Sequence, residues 1–212
     1  MNIIYLLFHG LSPYSGISKK ILHQVKGFEA CGHRVSLCTY SIADNGHRVR
    51  MINNEIIEDY GTGKPAAAKR RVSYQCIYRY AITHQVELIY VRSFHNANPF
   101  TIRLFSKLRK AGIKIAMEIP TYPYDSEYAG FPLVTRLGIQ VDKVFRKTLA
   151  KHVNAIVTFS DYHCIFGQRT IQISNGVDFD SIPLKKTVSK NTSVIQSTKE
   201  WPKYIIGTVT TA

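Results

Sequence analysis

The sequence predicts an α/β domain: a parallel sheet with helices on both faces. Three observations predict it. Short, uninterrupted apolar runs, starting with residues 3–8, are bounded by turn residues and are too short for helices. Runs of that kind are strands buried on both sides, the signature of a parallel sheet. Amphipathic segments with helical spacing alternate with these strands through most of the chain. The first run also gives way at once to a small-residue loop, Gly10, Ser12, Pro13, Ser15 and Gly16, followed by an amphipathic helix. Strand, loop and helix in that order set a ligand at a strand's carboxyl end against a helix N-terminus. The loop is not a complete G-x-G-x-x-G pattern, and Gly16 by itself equally suits a tight turn.

The elements follow in order. Residues 3–8 form a central strand. Residues 18–30 form a helix with Ile21, Leu22, Val25 and Phe28 at helical spacing, closed by Cys31-Gly32-His33, with Gly32 suited to a left-handed cap. Residues 35–40 are the second strand, and 48–59 a hairpin turning at Asn53-Asn54. Residues 66–84 read as one helix entered past Pro65, with the basic cluster Lys69-Arg70-Arg71 on a solvated face, like that of 103–110. A strand at 87–91, a helix at 100–111 stopped by Gly112 and a strand at 113–117 come next. The following Pro- and Tyr-rich stretch is too long for a simple connector, and long structured loops at strand ends are usually functional. Residues 133–152 form a helix with Leu137, Val141, Val144, Phe145 and Leu149 as its apolar stripe. A strand at 155–159, a short helix at 161–167 capped by Ser160, and a strand at 170–173 complete a domain of residues 1–178. Residues 179–200, rich in Lys, Ser and Thr, read as a linker, and 201–212 as the opening strand of a further domain.

Composition narrows the class. A hydrophobic fraction of 45% is that of a globular chain. No run approaches the ~20 apolar residues of a membrane span. The first apolar run lacks the basic flank and cleavage site of a signal peptide. Cys31, Cys38, Cys76 and Cys164 stand apart, without a C-x-x-C pair, and read as reduced core thiols. The eight histidines do not cluster, so no metal site is expected. A net charge of +14 calls for an anionic partner or else a solvated basic surface.

Several segments in this order resemble the N-terminal half of family-four glycosyltransferases, enzymes of the GT-B class with two Rossmann-like domains facing across a cleft. They are the first strand and loop through Gly16, Gly32-His33-Arg34-Val35, the strand end at 155–160, and Ile173-Ser174-Asn175-Gly176-Val177-Asp178. The loop at 118–125 further resembles the capsule and exopolysaccharide branch. The resemblance implies the acceptor-binding half of a retaining glycosyltransferase of cell-surface polysaccharide synthesis. It would take a nucleotide-sugar donor and a lipid-linked or saccharide acceptor, with no cofactor. A cytoplasmic position, peripheral at the inner face of the membrane, goes with it. The family's donor-side glutamate pair, E-x(7)-E, does not occur in this sequence, which implies a separate C-terminal domain as partner.

The candidate binding residues are Ser15, Gly16, Arg92, Glu118, Tyr122, Tyr124, Asn175 and Gly176. Ser15-Gly16 matches the family's loop where backbone N–H groups approach phosphate. Arg92 directly follows a strand, where a guanidinium grips phosphate or makes a surface ion pair. Glu118 ends a strand, where it accepts from a sugar hydroxyl or caps a turn. Tyr122 and Tyr124 suit stacking on a sugar face or filling a loop. Asn175-Gly176 matches the interdomain crossover. No catalytic residue is assigned. The alternative is a non-catalytic Rossmann-like module that binds an anionic ligand or partner. Nucleic acid is not an expected partner, since the basic residues are spread over several helices and no known motif appears.

Overall fold

A computed structural model describes residues 1–92, 96–124 and 133–174, with the backbone alone at 133–135. Asn175, Gly176, the linker at 179–200 and the strand expected at 201–212 lie outside the described residues.

The fold is a mostly parallel α/β sheet flanked by helices, as the alternating pattern predicts. Its strands are β1 (Asn2–Leu6), β2 (Arg34–Ile42), β3 (Arg48–Ile52), β4 (Glu55–Asp59), β5 (Leu88–Arg92), β6 (Lys114–Ile119), β7 (Ala155–Thr158), β8 (Cys164–Ile165) and β9 (Gln168–Gln172). They lie in the order β4-β3-β2-β1-β5-β6-β7-β9-β8. β1 is central and parallel to both β2 and β5. Antiparallel pairing is confined to the two margins. Side chains alternate across the pleat, so β1 feeds two cores. Ile3, Tyr5 and Leu7 pack with Ile21 of helix α1 (Gly16–Ala30). Ile4, Leu6 and Phe8 pack on the opposite face with helices α3 (Gln75–Thr83), α4 (Pro99–Lys110) and α5 (Leu133–Ala150). Helix α2 (Gly63–Val72) lies on that second face beside β3.

Local chemistry explains the best-placed boundaries. The α1 C-terminus is a Schellman motif: Gly32 at φ +79° donates to the Glu29 carbonyl and His33 N–H to the Phe28 carbonyl. The His33 ring packs against Phe28 at 6.5 Å, so the Gly-His pair ends the helix and turns the chain into β2. Asn53 and Asn54, at φ 48° and 70°, form the β3–β4 turn. The Asn53 side chain also accepts the Leu37 N–H at 2.8 Å, which locks that turn to β2.

Four expectations are corrected. The single helix at 66–84 is two, α2 and α3. Ser73 is extended, and the break drops Tyr74 into the core, edge-on to Phe8 at 5.8 Å, with its hydroxyl on the Arg71 carbonyl. Pro65 lies within the first turn of α2, where its missing N–H removes no helix bond. Residues 161–167 are not a helix but the start of the β8–β9 hairpin, turning at Phe166 (φ 52°) and Gly167 (φ 81°). The buried face of α5 carries Ile139, Asp142, Leu149 and Ala150, whereas Leu137, Val141 and Val144 are exposed. A buried aspartate in the true stripe hides it from an apolar count. Finally, Cys38 and Cys76 are core thiols, but Cys31 and Cys164 are exposed. Burial pushes the Cys38 thiol up to about 12.

Candidate functional site

The strand order reverses direction between β1 and β5. From β1 the chain crosses to α1 on one face; from β5 it crosses to α4 on the other. Such a switch point leaves a crevice outside the carboxyl ends of the two strands. The loop after β1, the N-terminus of α1, Arg92 and the end of β6 all lie at that carboxyl edge.

Ser15 is the N-cap of α1: its Oγ accepts the Ser18 N–H at 3.4 Å. The Ser18 hydroxyl in turn accepts the Ser12 N–H at 2.9 Å, so the loop is stapled to the helix it precedes. Gly16 is the first helical residue and is exposed; a Cβ there would meet nothing within 4 Å. Among the described residues, no partner takes the Gly16 or Ile17 N–H. The glycine whose size matters is Gly10, where a Cβ would lie 2.8 Å from the Tyr40 carbonyl oxygen. Turn composition marks both positions; only the approach of β2 separates their roles.

Arg92 and Glu118 are direct cross-strand partners in the parallel β5–β6 register. They form an ion pair of 2.6 Å, with Glu118 0% and Arg92 7% exposed. Glu118 Oε1 accepts from Arg92, and Oε2 accepts from the Tyr90 hydroxyl at 2.7 Å and Gln24 Nε2 at 2.8 Å. Gln24 Oε1 accepts the Tyr5 hydroxyl at 2.6 Å. Tyr5 and Tyr90 stand side by side, ring centres 5.0 Å apart. Three side chains from α1 and β5 thus donate to one buried carboxylate of β6, and Tyr5 of β1 joins them through Gln24. Burial, then the negative charge of Glu118, raises the pKa of both phenols, which keeps them as donors. Lys20 of α1 lies with its Nζ 3.4 Å from the Phe159 ring centre. Burial, reinforced by Arg92 and opposed by Glu118, lowers its pKa.

Tyr122 and Tyr124 pack into an aromatic cluster rather than standing in the open. Tyr122 meets Tyr162 and Phe166 edge-on at 5.0 and 5.5 Å, and Tyr124 meets Phe166 at 6.3 Å. The Arg146 guanidinium lies 4.8 Å from the Phe166 ring centre. The Tyr124 hydroxyl donates to Asp142 Oδ2 at 3.4 Å, and Asp142 Oδ1 accepts the Ala97 N–H at 2.9 Å. Asp142 therefore ties the loops after β5 and β6 to α5, a role that no local pattern announces. Asn175 and Gly176 are outside the described residues. Of the basic cluster at 69–71, Lys69 and Arg71 are exposed, but Arg70 is half-buried over the Tyr40 ring at 4.1 Å.

Among the described residues, no group of three or more His, Cys, Asp and Glu side chains is placed to hold a metal ion. No helix among them is long and apolar enough to cross a membrane. No protein-family model, curated protein or solved structure matches the chain.

Proposed function

We propose that this domain is the acceptor-binding half of a retaining, nucleotide-sugar-dependent glycosyltransferase of cell-surface polysaccharide synthesis. The observation that supports the reading is the reversal of strand order between β1 and β5, with the loop through Gly16 at its carboxyl edge. The capped N-terminus of α1 offers outward N–H groups to a phosphate. In this reading Glu118 does not touch the acceptor; it is a positioning residue that holds the Arg92 guanidinium at the crevice edge. Charge stabilisation of the departing nucleotide would come from a partner domain, because the donor-side glutamate pair does not occur here. The donor sugar and the lipid-linked or saccharide acceptor are substrates, and no cofactor enters the scheme.

A second reading, a non-catalytic module for an anionic ligand, is favoured by the +14 charge. One experiment separates the two. The purified 212-residue chain is given sugar nucleotides and a polyprenyl phosphate, alone and with a donor-binding domain of the family. The transferase reading expects acceptor binding by the chain alone and product only with the second domain. Phosphate binding that never supports transfer in either arm would favour the module. Robust turnover by the chain alone that disappears in Glu118→Gln would overturn the division of labour.

A further inference from the structure

Among the described residues, the buried side-chain polar atoms without a hydrogen-bond partner are all donors: Arg48 Nε, Arg50 Nε, Arg70 Nε and Asn96 Nδ2. Three of the four belong to one cluster. The β2–β3 register sets Arg50 opposite Tyr40 and Arg48 opposite Ile42. Alternate residues of a strand share a face, and here it is the face that α2 covers, from which Arg70 descends onto the Tyr40 ring. Arg48 donates to the Tyr40 hydroxyl at 2.7 Å, and Arg50 to the Leu7 carbonyl at 2.7 Å. Arg50 is 1% exposed, with its guanidinium carbon 5.8 Å from the Phe8 ring centre.

Among the described residues, no carboxylate forms an ion pair with any of the three. Burial, and then the like charges of Arg71, Arg48 and Arg50, hold the Arg70 pKa below its ordinary value. Guanidinium groups are donors only. Glu58 lies opposite Arg50 in the β3–β4 register but, among the described residues, forms no ion pair with it. Crowding three guanidiniums, one wholly buried, without a paired counter-charge is unfavourable unless something supplies acceptors and negative charge. The cluster sits at the carboxyl end of β2, next to the point where Gly10 passes against the Tyr40 carbonyl. Arg48 and Arg70 are partly exposed there, so a ligand has a way in.

We propose that Arg48, Arg50 and Arg70 form a binding site for a phosphate group at the carboxyl end of β2. Phosphate fits better than carboxylate for two reasons. It carries up to two charges against three cations, and its tetrahedral oxygens accept from several planar forks at once. The site is separate from the Arg92–Glu118 network and stands whether or not the domain serves sugar transfer.

The test uses the full 212-residue chain and inorganic phosphate, titrated calorimetrically at constant ionic strength, with acetate as the carboxylate probe. Neutral phosphatidylcholine vesicles, with and without phosphatidic acid, form a second arm. Phosphate is expected to bind more tightly than acetate and to shift the Arg50 Nε–H resonance. Arg48→Gln and Arg70→Gln, both at partly exposed positions, should each weaken binding about tenfold or more. Lys110→Gln, on the exposed side of α4, should change it by no more than about twofold. If a glutamine variant does not fold, Arg70→Lys keeps the charge, loses the fork, and should still bind more weakly than the parent chain. Binding to free phosphate identifies a soluble phosphorylated ligand. Phosphatidic-acid-dependent vesicle binding that Arg48→Gln and Arg70→Gln weaken and Val144→Glu does not identifies a lipid headgroup at this site. Either supports it, and vesicle binding unchanged in the arginine variants counts against it. No binding in either arm, acetate as tight as phosphate, or affinity unchanged in the Arg48 and Arg70 variants would overturn it.

Discussion

Glu118 illustrates how one buried charge organises its neighbours. Its carboxylate takes bonds from Arg92, Tyr90 and Gln24 in a site closed to water. Removing one partner of a buried pair strands the other charge, at a cost of roughly 3–5 kcal/mol. Glu118→Gln should therefore lower the urea-unfolding free energy by about that amount, and Arg92→Gln in the same background should restore part of it. A loss below about 1 kcal/mol would mean that water already reaches the pair. The phenols give a second test through pH. Tyr5 and Tyr90 ionise near 10.0 when unfolded and higher when folded. Their contribution is present in full below pH 10 and falls as pH rises toward the raised values, because the unfolded chain then holds fewer protons. Urea midpoints measured from pH 8 to 11 should decline above 10, and less steeply in Tyr90→Phe. A flat profile would place these hydroxyls in water.

At the scale of elements, what was legible in the sequence is what local chemistry decides. The Gly32 helix stop, the Asn53-Asn54 turn and the apolar strands follow from neighbours a few residues away. The α2–α3 break does not, since it exists to seat Tyr74 on Phe8, far away in the chain. The register of α5 is likewise set by Asp142 reaching Ala97 and Tyr124. For the site, strand-end position marks Arg92 and Glu118 as residues at the ligand-binding edge. That they hold each other depends on the β5–β6 register, which no local pattern contains. Gly10 belongs to the same class: Gly10→Ala should cost about 1–3 kcal/mol by pressing a methyl on the Tyr40 carbonyl, and Gly16→Ala much less. Equal thermal midpoints for the two variants would contradict that contrast.

The exposed face of α5 bears on membrane association. Leu137, Val141 and Val144, the last 71% exposed, lie on a surface shared with exposed Arg136 and Lys147. An apolar stripe flanked by basic residues suits an anionic bilayer surface, where each cation contributes about 1 kcal/mol near the headgroups. The proposed peripheral role predicts binding to anionic vesicles that salt reverses and that Val144→Glu weakens. Equal binding to neutral vesicles, or binding that salt leaves unchanged, would contradict it.

For the whole molecule, a central strand serving two cores fixes where the sheet reverses direction, and with it the crevice. The strands, the N-cap at Ser15 and the Glu118 network all hold that edge rigid. The excess of basic residues gives the molecule a field that draws anions toward it, without choosing where they dock. Docking is the central claim, and amide chemical shifts of the isotope-labelled chain test it most directly. Titrated with a short-chain isoprenyl phosphate and with a sugar nucleotide, the chain should show perturbations at residues 7–18, at Arg92 and at 118–124. The isoprenyl phosphate should saturate first, and shifts at the β2–β3 arginines would report the separate phosphate site. Shifts confined to the amino ends of the strands, around Asn2, Glu87 and Lys114, or no shifts at saturating ligand, would contradict a binding crevice at the carboxyl edge.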